Sequence, residues 1–60
     1  MKEWNPEQIY DFRRKNKLTQ TAFGELVGVS KITVYQWERG ERKPSKTAKI
    51  LLIKIEEERR

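Results

Sequence analysis

Three segments of this chain open with the same local device, and that repetition restricts the fold more than any other feature. An apolar residue precedes a polar cap, and a second apolar residue follows at the spacing that closes over it. The pairs are Trp4 and Ile9 around Asn5, Leu18 and Phe23 around Thr19, and Val29 and Val34 around Ser30. Such a staple sets the angle at which the chain starts a helix, while the cap side chain accepts an orphan amide of the first turn. At Asn5 the device is reinforced by Pro6 in the first helical position and by Gln8, which can reach back to the cap amide. The spacing predicts helices over about 6–15, 20–27 and 31–39, the first burying Ile9, Phe12 and part of Arg13.

Glycines mark the stops. Gly28 supplies a left-handed end to the second helix, and Gly40 terminates the third. Two helices that cross steeply need a turn of about three or four residues, usually containing Gly. Gly24 is different, because a glycine inside a helix costs about 1 kcal/mol relative to alanine. A close approach of the third helix to the backbone of the second would explain it; a merely tolerated residue is the alternative. A basic loop, Gly-Glu-Arg-Lys-Pro at 40–44, leads into a fourth helix over about 45–58. Ala48, Leu51, Leu52 and Ile55 form its inward stripe, with Ile50 and Ile53 partly off it. The extra apolar width means either a deeply buried helix or a second contact, such as a dimer partner; the partner is favoured because so small a domain cannot cover two faces.

Length and composition narrow the function. The chain has 60 residues, enough for a single domain spanning 1–60. A chain this short buries only about 60% of its unfolded surface. It has no Cys and no His, so disulfide, thiolate and imidazole chemistry are missing, and no carboxylate pair suggests a catalytic pocket. An enzyme is the weakest reading; no catalytic residue, metal site or cofactor is indicated. The lack of Cys fits a reducing cytoplasm. No segment approaches the roughly 20 apolar residues of a membrane span, and nothing at the N-terminus resembles a signal peptide. Net charge is +5, with 14 Lys+Arg against 9 Asp+Glu. The cations cluster at Arg13, Arg14, Lys15 and Lys17 and again from Lys31 to Lys49, while the acids collect at Glu56, Glu57 and Glu58. A polyanion suits such a surface; ordinary solubilising charge is the alternative.

The third helix, KITVYQWER, has two unlike sides. Val34 and Trp37 point one way, and Lys31, Ile32, Thr33, Gln36 and Arg39 largely face away from them. A helix lying in a major groove offers the side chains of its first turns to base edges. Gln pairs with adenine and Lys with guanine, and an exposed Ile32 would find a partner in a thymine methyl. Lys31, Ile32, Thr33 and Gln36 are the candidate base contacts. Gln20, at the start of the second helix, is placed for a phosphate at the positive dipole end, with Thr19 doing the capping and leaving Gln20 free. Tyr35, near the boundary between the two sides of the third helix, is a further candidate for the DNA backbone, with Arg39, Arg42 and Lys43.

Residues 9–52 resemble the Cro/CI-type, or XRE-like, helix-turn-helix family of phage repressors and bacterial regulators. The resemblance rests on Arg13, Leu-Thr-Gln at 18–20, FGELVGVS at 23–30 and VYQWERGERKPS at 34–45. It implies an all-α, lambda-repressor-like domain that binds operator DNA, usually as a homodimer on inverted half-sites. By the same resemblance Gln20 meets a phosphate, while Lys31, Ile32, Thr33 and Gln36 meet bases or nearby backbone. Gly24 falls at the small position between the motif helices. Arg13 and Glu38 are implied to form a structural ion pair. The family's usual fifth helix has no counterpart here, so four helices are expected, and no segment suggests a small-molecule effector.

The expectation is a small sequence-specific regulator of double-stranded DNA, of the phage or mobile-element repressor type, cytoplasmic and associated with a bacterial nucleoid. The rival reading is an antitoxin-like or other protein-interaction module, which would want a more apolar outer face on the third helix. A DNA-binding piece of a longer regulator is a third reading, against which Met1 and the charged end weigh.

Overall fold

A computed structural model describes residues 3–59. Met1, and Arg60 at the tip of the charged tail, lie outside the described residues. The architecture is all-α: α1 (Pro6–Lys15), α2 (Gln20–Val27), α3 (Lys31–Arg39) and α4 (Lys46–Glu58), with no strand among the described residues. The closest association is between α2 and α3; α1 packs on α3, and α4 closes against α2.

Every helix begins with a side-chain cap. Asn5 Oδ1 accepts the Gln8 amide at 2.8 Å and Gln8 Oε1 accepts the Asn5 amide at 2.9 Å, so the capping box at α1 is complete. Thr19 Oγ1 accepts from the Ala22 amide at 3.0 Å, and Ser30 Oγ from the Thr33 amide at 3.2 Å. Ser45, expected as the first residue of α4, is instead its cap, accepting the Ala48 amide at 3.2 Å. The end of α1 has a device the sequence does not announce. Lys17 is left-handed, with φ of 56°. Its amide donates to Arg14 O at 3.0 Å and the Leu18 amide to Arg13 O at 3.1 Å. This is a Schellman closure with lysine where glycine is usual. It folds the chain back so that Leu18 packs against the core.

The core is built from Trp4, Ile9, Phe12, Phe23, Val27, Val34, Trp37, Ala48, Leu52 and Ile55. Its centre is a run of edge-to-face rings. Trp4 meets Phe12 at 5.5 Å between centroids, and Phe12 meets Phe23 at 6.0 Å. Such geometry sets the positive edge of one ring against the negative face of the next. Trp4 therefore does more than staple a cap: it is fully buried, and its backbone adopts φ of 56° to get there.

Helix α4 corrects the sequence reading of its faces. Ala48, Leu52 and Ile55 point inward, but Leu51 is 38% exposed while Ile53 packs partly against the core. Successive helical residues turn by about 100°, so Leu51 lies to one side of the row set by Leu52 and its neighbours. Ile50 is also exposed, and the outward apolar pair is thus Ile50 and Leu51.

The α2–α3 turn is short and left-handed at Gly28, where φ is 84°. Both the Gly28 and the Val29 amide donate to Gly24 O, at 2.7 and 2.8 Å. Gly24 itself is where the chain touches itself backbone to backbone. A Cβ there would lie 2.6 Å from Val29 O and 3.3 Å from the Ser30 carbonyl. The neighbour is thus the turn and cap leading into α3 rather than the body of that helix. On an open helix, Gly24→Ala would stabilise by about 1 kcal/mol. Here the opposing atom is backbone and cannot swing aside. Gly24→Ala is therefore expected to lower the melting temperature, followed by circular dichroism at 222 nm, by at least about 4–8 °C, corresponding to about 1 kcal/mol of net loss. An unchanged or raised melting temperature would contradict the close approach.

Candidate nucleic-acid interface

The site starts from how α3 is held. Val34 and Trp37 are buried at 0% and 3% exposure, which fixes the back of the helix. On the opposite side Lys31, Ile32 and Tyr35 are exposed, and Thr33 and Gln36 half-buried. Ile32 is 67% exposed, the most of any large hydrophobic among the described residues. An apolar side chain held open on a helix whose neighbours are polar gains nothing in the free protein. The Thr33 hydroxyl sits 3.1 Å from Ser30 Oγ, so part of its hydrogen bonding is taken up by the cap.

Two further groups of candidates lie to either side. Gln20 and Lys31 line one recess, together with Arg13, Thr19 and Thr21. Nothing in the sequence reading marks Thr21; its only signal is its place beside Gln20 in the first turn of α2. Arg42 and Lys43 line a separate cleft beside Trp37 and Pro44. The loop that carries them is tied to α3, because Gln36 O accepts the Glu41 amide at 2.9 Å and the Arg42 amide at 3.3 Å. Arg39 lies over the Tyr35 ring at 5.6 Å and its Nε reaches Glu41 Oε2 at 3.2 Å. Arg39 and Tyr35 therefore form one exposed unit rather than two separate contacts.

Behind this surface Arg13 and Glu38 meet as a fork. Arg13 Nε donates to Glu38 Oε2 at 2.6 Å and Nη2 to Oε1 at 3.0 Å, while Nη1 donates to Leu18 O at 3.0 Å. Their side chains are only 13% and 8% exposed. The hydrogen bond to Glu38 raises the affinity of Arg13 for its proton, more than burial lowers it. A raised value means stability that is present below the unfolded-state pKa and lost only as pH climbs through the folded one. For arginine that window lies far above neutrality, so Arg13 stays charged. Gln20, free in the sequence reading, is engaged in the structure: its Nε2 donates to Glu38 Oε1 at 3.3 Å. The carboxylate can claim the amide because the fold sets the start of α2 against the last turn of α3.

With this geometry in view, the comparison with known families is direct. A helix-turn-helix family model matches residues 9–57, and the chain belongs to that family, in its Cro/CI-type branch. Among curated relatives, it is 46% identical over 39 residues to Repressor protein C2 of Salmonella phage P22. That match covers 65% of this chain and 18% of the phage protein, so the chain spans less than a fifth of the relative's length. No solved structure matches.

Removing one member of the fork strands the other charge. Arg13→Leu and Glu38→Leu are each expected to destabilise the fold by about 3 kcal/mol, and the double variant to recover part of that loss. Urea titration of the four chains at low temperature measures it; additive losses would show that the two charges act independently.

Proposed function

We propose that this chain is a sequence-specific double-stranded DNA-binding transcriptional repressor, of the phage or mobile-element type, that acts as a homodimer on an inverted-repeat operator. The observation that carries the reading is the outer face of α3. Ile32 stands open beside Lys31, Thr33 and Gln36 while Val34 and Trp37 hold the helix from behind. Ile32 suits a thymine methyl, Gln36 an adenine edge and Lys31 a guanine. Gln20, Tyr35, Arg39, Arg42 and Lys43 suit phosphates, which position the domain without reading sequence. The phage protein that the chain resembles is named a repressor. Repression would follow from occlusion, since a dimer on its operator excludes polymerase.

The second copy is argued from α4. Ile50 and Leu51 are 47% and 38% exposed at the middle of the helix. The helix is basic at its start, with Lys46 and Lys49, and acidic at its end, with Glu57 and Glu58. Two such helices laid antiparallel bring unlike ends together around the apolar pair. A dimer on inverted half-sites would meet them about 34–36 Å apart, one helical turn of DNA.

Two experiments test the reading. After selection from random duplexes, Gln36→Ala is expected to cut the preference for the recovered sequence by roughly 5–150-fold, about 1–3 kcal/mol. Lys43→Ala should weaken selected and unrelated duplexes alike and reduce the slope of affinity against salt by about 1. Fluorescence anisotropy at two salt concentrations reads both, and the reverse pattern would exchange the two roles. For the dimer, Ile50→Glu with Leu51→Glu should leave the helical content intact but turn a steep, cooperative titration of a two-half-site duplex into independent binding. Unaltered cooperativity would place the second copy elsewhere.

A further inference from the structure

A single carboxylate joins three helices next to the surface just described. Glu38, in α3, is clamped by Arg13 from α1 and also accepts the side-chain amide of Gln20, the first residue of α2. Glu38 Oε1 is the shared atom, with Arg13 Nη2 at 3.0 Å and Gln20 Nε2 at 3.3 Å. The third arm of the arginine holds Leu18 O, one residue before the cap of α2. The start of α2 is thus fixed to the guanidinium through its backbone and to the carboxylate through its first side chain.

An ionised carboxylate only accepts hydrogen bonds. It therefore decides which way the Gln20 amide faces: the NH2 group must turn toward Glu38, since the carbonyl oxygen would be repelled. One N–H of Nε2 is used in that bond. The other leaves the rigid, planar amide in a fixed direction. A phosphate oxygen is likewise only an acceptor, so the sense of the amide decides whether Gln20 greets it with a donor or with a like partial charge.

We infer that Glu38 is a positioning residue for DNA binding, whose charge holds the Gln20 amide in the donor-presenting sense at the recess shared with Thr21 and Lys31. The inference rests on the reading of Gln20 as a phosphate contact. It also widens what the Arg13–Glu38 pair does, because Arg13 neutralises and orients a carboxylate that would otherwise repel the phosphate it helps to bind. A glutamine at position 38 can donate as well as accept, so it would leave Gln20 free to adopt either sense.

The test is a cycle of four chains: the parent, Gln20→Ala, Glu38→Gln and the double variant. Affinity for the selected duplex is measured at a temperature where circular dichroism shows all four folded. Gln20→Ala should weaken binding about 3–10-fold, the range one hydrogen bond supplies. Glu38→Gln should cost a similar factor with Gln20 present and less than about twofold with alanine there; the lost negative charge and any loss of stability act in both backgrounds and cancel from the comparison. Equal effects in both backgrounds would overturn the inference. In the free protein, the two Nε2 proton signals of Gln20 should be well separated in a nitrogen-15 spectrum and collapse toward free-amide positions in Glu38→Gln; unmoved signals would also overturn it. If the parent binds no duplex at all, the functional reading fails and takes this inference with it. If the parent binds and the cycle shows no coupling, the inference fails alone.

Discussion

The contact at Gly24 is the constraint on which the arrangement of the motif depends. A carbonyl oxygen of the turn, Val29 O, lies where a side chain would otherwise begin. Backbone against backbone is the shortest distance at which two chain segments can approach, and it tolerates little adjustment. With the Gly28 and Val29 amides both held by Gly24 O, the start of α3 is locked to the middle of α2. The direction of α3 is thus constrained by backbone contacts at the turn, and Val34 and Trp37 hold the same placement from the core side.

That backbone lock helps so small a chain to leave one side of a helix open. A domain of this size has little apolar area to spare, and Ile32, Ile50 and Leu51 all remain outside. The deficit is offset by local devices rather than by core volume. Each helix has a capped start, worth about 1 kcal/mol relative to an alanine cap. The aromatic run from Trp4 to Phe23 adds specific ring contacts. The Arg13–Glu38 fork ties α1 to α3 without needing further apolar surface.

What can be read in the sequence, and what cannot, divides by range. Caps, staples and left-handed stops depend on residues close to one another in the chain, so Asn5, Thr19, Ser30, Gly28 and Gly40 are legible. The Schellman closure at Lys17 is equally local but carries no visible signal, because lysine is a poor sign of a positive φ. The roles of Leu51 and Ile53 are hidden, since both are apolar and only the placement of α4 against its neighbours decides which one turns inward. At the site the same division holds. The outward face of α3 follows from its own periodicity, whereas the engagement of Gln20 by Glu38 spans 18 positions of sequence. The family resemblance supplies Arg13 and Glu38 as a pair, but no pattern in the residues assigns that pair a third member.

The loop after α3 joins the candidate base contacts to the candidate phosphate contacts in one assembly. Gln36 is half-buried, and its carbonyl accepts the amides of Glu41 and Arg42. The candidate base contact and the candidate phosphate contacts at Arg42 and Lys43 therefore hang from one peptide unit. Gln20 is joined to the same helix through Glu38, which shares a turn of α3 with Gln36. Groups that suit phosphates on both sides of α3 are in this way referenced to the helix that carries the candidate base contacts. A phosphate contact carries no sequence information, yet one rigidly tied to α3 fixes the register in which Gln36 and Ile32 would meet the groove. Loosening Glu38 or the Gln36 carbonyl would blur that register without touching any candidate base contact.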